Sequence, residues 1–145
     1  MRTFRFAAPA FLFSTAALTM IATVAAASFP DVPATYPHRN AIEQLVNRGV
    51  ITGHPDGNFR PYDPVDRASV LKMLYKAANI SADGGKAGCL KDVPADAWYA
   101  PFVCDAVARG YVKGYDDGTY KPGRPVSHAE ALKLTIAIIG IPSAD

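Results

Sequence analysis

The residues of this chain that could do chemistry are few, and their spacing excludes more than it admits. Asp56-Gly57 and Asp117-Gly118 are acid–glycine pairs of the kind found in calcium loops. An EF-hand loop also needs oxygen ligands two and four residues before the aspartate and a glutamate six after the glycine. Around the first pair those positions hold His54, Thr52 and Asp63; around the second they hold Tyr115, Lys113 and Arg124. Both aspartates are therefore expected to hydrogen-bond their own turns. His38, His54 and His128 stand at no ligand spacing from Cys89 or Cys104, and two thiolates alone do not complete a zinc site. No metal and no cofactor is expected. The chain contains no G-x-S-x-G, H-E-x-x-H or C-x-x-C. No catalytic residue is nominated, and the chain is expected not to be an enzyme.

What the cysteines can do depends on their compartment. Met1 to Phe6 carries Arg2, Arg5 and no acid, and Ala7 to Ala27 is an uncharged run of apolar and small residues ending Ala25-Ala26-Ala27. That order is a secretory signal peptide, cleaved before Ser28. An uncleaved membrane anchor is the rival, because the run is nearly long enough to span; Pro9 and the small-residue end favour cleavage. The mature chain is then not membrane-spanning. In the oxidising compartment met by an exported chain, Cys89 and Cys104 are expected to pair, with free thiols as the alternative. A bridge over so short a loop stabilises by about 3 kcal/mol. The leader's two arginines account for the formal net charge of +2, so what remains is formally neutral. Binding of nucleic acid, which needs a clustered basic face, has no electrostatic basis here.

The elements that must position these residues come in two copies. Gly49 to Arg67 reads GVITGHPDGNFRPYDPVDR, and Gly110 to His128 reads GYVKGYDDGTYKPGRPVSH. Gly49, Gly53, Asp56, Gly57, Pro61, Pro64 and Val65 recur 61 residues later as Gly110, Gly114, Asp117, Gly118, Pro122, Pro125 and Val126. Glycine permits positive φ and proline fixes φ, so what has been copied is a backbone shape. The repeat begins earlier, with Phe29-Pro30-Asp31-Val32 matched by Leu90-Lys91-Asp92-Val93. Before each loop the apolar spacing predicts a helix: over 38–48 through Ala41, Ile42, Leu45 and Val46, and over 99–109 through Phe102, Val103, Ala106 and Val107. Gly49 and Gly110 end them. After each loop a second helix is predicted. One is capped by Asp66, runs to about Asn79 and has Val70, Leu71, Leu74 and Ala78 on its apolar face. The other opens with the capping box Ser127-His128-Ala129-Glu130 and continues through Ala131, Leu132, Thr135, Ile136 and Ile139. Phe59 and Tyr120 are expected to tuck back onto the core.

The organisation is thus a signal at 1–27, a first repeat at 28–80, a glycine-rich linker at 81–88 and a second repeat at 89–145. The fold class is all-α, with four main helices in tandem helix–loop–helix units. One unit cannot bury both of its apolar faces, so the copies must stack on each other or on a partner.

The order of these parts resembles the S-layer homology repeat. The pieces are Phe29/Asp31/Val32, Gly53/Asp56/Gly57/Phe59/Pro61 and Asp66-Arg67-Ala68-Ser69 in copy one. In copy two they are Asp92/Val93, Trp98, Gly114/Asp117/Gly118/Tyr120/Pro122 and Ser127-His128-Ala129-Glu130. The resemblance covers Phe29 to about Ile139. It implies a partial pseudo-three-fold bundle, with ligand grooves between neighbouring repeats. It also implies a secreted chain held non-covalently at the cell wall, within or beneath an S-layer, through a secondary cell-wall polysaccharide that often bears pyruvate ketals, or through a peptidoglycan-linked polymer. In such repeats the arginine of a T-R-A-E element pairs with the acidic sugar, which suits a planar guanidinium fork. Arg67 holds that place in copy one and His128 in copy two. Trp98 is the aromatic for a sugar face, and Lys72 and Lys133, which recur at the 61-residue offset, are cations for the polymer. The structural alternatives are an Arg67 paired locally with Asp63 or Asp66, a degenerate His128, a Trp98 in the core, and lysines on solvated helix faces.

The chain departs from the family pattern in three places. It has two repeats where the family commonly has three. Copy one keeps Arg67 but has Ser69 in place of the glutamate, while copy two keeps Glu130 but has His128 in place of the arginine. Copy one has Tyr36-Pro37 near where copy two has Trp98-Tyr99. The alternative function is an assembly module that joins its own kind or S-layer subunits and binds no glycan.

Overall fold

The computed structural model describes residues 29–83, 85 and 88–140; the expected leader, its expected cleavage site and part of the expected linker lie outside the described residues. Four helices follow in order: α1 Arg39–Asn47, α2 Arg67–Ala77, α3 Ala100–Ala108 and α4 His128–Ile139. Among the described residues there is no strand, only one isolated antiparallel bridge between Asp66 and Pro125. No helix among them is long and apolar enough to cross a membrane.

Local chemistry sets the helix ends. Asp66 caps α2 by accepting from Ser69 N–H at 2.8 Å, and Ser127 and Glu130 close the capping box on α4. Arg48 and Arg109 cap α1 and α3, followed by Gly49 and Gly110 at φ of 68° and 75°. The helix α2 ends two residues earlier than its pattern suggests. Asn79, at φ 55°, takes the left-handed position that glycine takes elsewhere.

Each glycine loop is pinned from two sides. Asp56 and Asp117 accept from the N–H groups of Asn58 and Thr119, both at 3.0 Å, as expected of turn aspartates. From the far side, Asp31 accepts from Phe59 N–H at 2.9 Å and Arg60 N–H at 2.6 Å. Asp92 accepts from Tyr120 and Lys121 N–H, both at 2.7 Å. Arg60 and Lys121 lie at φ of 59° and 58°, a conformation that costs a non-glycine residue about 1 kcal/mol. The paired N–H bonds to each carboxylate hold it in place. The Phe59 N–H, above all, keeps the Asp31 carboxyl below the usual carboxylate range.

The core runs across the two copies. Its larger part joins Leu71 and Tyr75 of α2 to Val93, Val103, Ala106, Tyr120, Leu134 and Ile138 of copy two, and α2 packs against both α3 and α4. A smaller cluster, Val32, Ile42, Val50 and Ile51, closes on Met73 and Ala77, residues of the same α2. The second helix of copy one therefore lies between its own first helix and copy two. Tyr75 Oη donates to Asp105 Oδ2 at 2.7 Å, and Arg109 Nε donates to the same oxygen at 2.6 Å. Asp105 is wholly buried, so these charge-assisted donors offset its desolvation. The proline loops pair as well. Val126 N–H donates to Val65 O at 2.9 Å, and the first two N–H groups of α2, on Arg67 and Ala68, donate to Arg124 O at 3.0 Å and Pro122 O at 3.1 Å. Copy two thus satisfies helix-end donors of copy one. The expected disulfide is present, with Cys89 and Cys104 bridged at 2.11 Å, which ties the entry of copy two to α3.

Candidate binding site

Arg67 opens α2 beneath the loop of copy two, and it is only 8% exposed. Its guanidinium lies over two rings of that loop, 4.7 Å from the Tyr120 centroid and 5.4 Å from that of Tyr115. Arg67 Nε donates to Tyr120 O at 3.1 Å and Nη1 to Glu130 Oε1 at 3.3 Å. Arg124 Nη2 donates to that same Glu130 oxygen. The other Glu130 oxygen accepts from Ser127 N–H at 3.0 Å. That bond first, and Arg124 after it, brings the Glu130 carboxyl down to about 2. Burial pushes the Tyr120 phenol up to about 12.

A cavity of about 400 Å³ opens here between the copies, lined among others by Arg67, Tyr111, Lys113, Tyr115, Glu130 and Lys133. Its lining holds three cations, one carboxylate and two phenol rings. Such a set suits a carboxylate-bearing ligand with an apolar face.

The local ion pair considered for Arg67 is not what forms. Both Asp66 oxygens are taken by Ser69, at 2.8 Å from its N–H and 2.9 Å from its hydroxyl. Arg67 reaches across the seam to Glu130 instead. The two incomplete T-R-A-E elements complement each other: the arginine kept in copy one meets the glutamate kept in copy two.

Of the other residues singled out in the sequence, Lys133 lines the cavity with Arg67. Trp98 and Lys72 are absent from its lining and meet each other elsewhere on the seam, with Lys72 Nζ 5.1 Å from the indole centroid. Trp98 is half-exposed and lies edge-on to Tyr99, so it is not a core residue. His128 is exposed at the first position of α4. Sequence reasoning assigned no ligand role to Lys113, Tyr111, Tyr115 or Glu130. Their signal lay in the places where the copied loops differ, with Thr52 and His54 standing where copy two has Lys113 and Tyr115.

The sequence profile of the S-layer homology domain matches residues 28–71 and 90–132. The chain is 32% identical over 120 residues to S-layer protein EA1 of Bacillus anthracis, aligning 81% of this chain with 14% of that protein. It is 34% identical over 132 residues to an S-layer protein of Bacillus thuringiensis subsp. finitimus, covering 86% of this chain and 16% of the relative. A cellulosome-anchoring protein of Acetivibrio thermocellus is 30% identical over 111 residues, covering 74% of this chain and 25% of the relative. The chain thus spans a quarter or less of the length of these proteins.

Proposed function

The chain belongs to the S-layer homology family, and on that footing we propose that it is an exported, non-catalytic anchoring module that grips an acidic cell-wall polysaccharide in the cavity between its copies. Cleavage after residue 27 leaves the two repeats, 28–80 and 89–145, as the working unit at the cell wall. The observation that carries this reading is Arg67. It is a nearly buried cation within 5.4 Å of the Tyr115 centroid and 4.7 Å of the Tyr120 centroid, with Nε and Nη1 engaged. Among the described residues, no acceptor meets its Nη2. A carboxylate such as a pyruvate ketal fits there, between the guanidinium and the ammonium groups of Lys113 and Lys133. Tyr111 offers its ring to the sugar's apolar face, while the Tyr115 ring is covered by Lys121 Nζ at 4.2 Å and by Arg67. Lys72 and Trp98 form a second, outer contact further along the polymer, and His128 stands outside the cavity. The relatives' names, S-layer proteins and a cellulosome-anchoring protein, accord with attachment at a cell surface.

The test is co-sedimentation of the exported chain with wall sacculi, native and stripped of secondary polymer. Binding to native sacculi alone is expected, weakened about 10- to 100-fold by Arg67→Ala, the range for losing a charge-assisted contact. Equal binding to stripped sacculi would move the ligand to peptidoglycan. A folded chain that binds neither overturns the reading.

A further inference from the structure

We infer that the seam between the copies is repeated between molecules, the outgoing face of copy two receiving the incoming face of copy one of a second chain. The internal seam shows what each face is built to meet. Leu71 and Tyr75 on α2 are 0% exposed, because copy two covers them. The residues 61 positions later on α4, Leu132 and Ile136, are 53% and 40% exposed, and Ile139 extends the same open stripe. The backbone shows the same asymmetry. Arg67 and Ala68 N–H donate to Arg124 O and Pro122 O. His128 and Ala129 occupy the matching places on α4, and among the described residues no acceptor meets their N–H groups.

The missing acceptors have counterparts at the other end of the chain. Sixty-one residues before Arg124 and Pro122 are Asp63 and Pro61. They flank Tyr62, which at 85% exposure is, among the described residues, the most exposed large hydrophobic side chain. Tyr62 packs edge-on to Tyr36 at 6.0 Å, and Tyr36 to His38 at 5.8 Å. These rings flank position 37, the counterpart of Trp98. Among the described residues, four of the six exposed large hydrophobics, Tyr62 on one side and Leu132, Ile136 and Ile139 on the other, therefore lie on two faces that match the two sides of an existing interface. Apolar surface and N–H donors on one face answer apolar surface, carbonyls and aromatic rings on the other. That correspondence selects a second copy of this chain as the occupant. A contact between two different faces is heterologous; it closes into a ring or runs into a filament according to the rotation at each seam.

The experiment is sedimentation equilibrium of the exported chain across the micromolar range, with two variants. One, Leu132→Asp with Ile136→Asp, spoils the outgoing face; the other, Tyr62→Asp, spoils the incoming face. Wild type is expected to exceed monomer mass with rising concentration. Each variant alone is expected to weaken association about 100-fold, as burying a charge in a small hot spot does. Mixing the two should restore one seam and yield a heterodimer. All three positions are exposed, so unchanged melting of each variant verifies folding, and undiminished sacculus binding separates this result from the anchoring function. A wild type that stays monomeric overturns the inference. So does an incoming-face variant that still dimerises, which would mean α4 pairs with itself, and so does a mixture that stays monomeric.

Discussion

The hydroxyl of Tyr75 is a single atom on which the seam between copies can be tested. In Tyr75→Phe the ring stays, edge-on to Phe102 at 5.8 Å, and only the Oη that donates to Asp105 at 2.7 Å is lost. Asp105 is wholly buried, and Arg109 Nε still donates to it at 2.6 Å, so the charge keeps its cation. Losing one neutral donor to a buried carboxylate costs about 2 kcal/mol. For a domain of this size that lowers Tm by about 8 °C. Circular dichroism melts of the exported chain at neutral pH measure it. Alkali supplies a second reading. Burial, and then Asp105, raise the Tyr75 phenol far above its ordinary value of 10.0. The unfolded chain therefore ionises above pH 10 while the folded chain holds its proton. Stability from this group is complete below pH 10 and falls as pH rises beyond it, so the gap between wild type and Tyr75→Phe should narrow there. A Tm change under about 2 °C, or a gap that widens in alkali, would refute the reasoning that this bond holds the copies together.

Gly53→Ala and Gly57→Ala separate steric crowding from backbone strain. At Gly53, φ 70°, an added Cβ would stand 2.4 Å from Phe29 Cε1; at Gly57, φ 82°, it would meet nothing within 4 Å. Urea midpoints should show a loss of about 1 kcal/mol for Gly57→Ala and at least twice that for Gly53→Ala. Acid should act in part through Glu130, whose carboxyl lies at about 2 against an ordinary 4.5. Its contribution is complete above pH 4.5 and is lost as pH falls through about 2. Melts across that window should fall less steeply for Glu130→Gln than for wild type; some slope remains, because Asp31, Asp56 and Asp117 are lowered too.

The sequence by itself determined the two copies, the four helices, the caps at Asp66 and Ser127, and the turns at Asp56 and Asp117. Each of these depends on φ preferences or on hydrogen bonds between residues two to four apart, so the residue types carry the instruction locally. It also marked Asp31 and Asp92 as repeated, without revealing that they clamp a backbone 28 and 29 residues away. The seam, by contrast, arises from contacts between residues far apart in the chain. Arg67 finds Glu130 across 63 residues and Tyr75 finds Asp105 across 30. Position 105 corresponds to Gln44, and the cavity's Lys113 and Tyr115 to Thr52 and His54, so the repeat pattern could not announce them. The two copies share a backbone because each must fold alike. They differ in side chains where one meets the other, and those contacts exist only once both have folded.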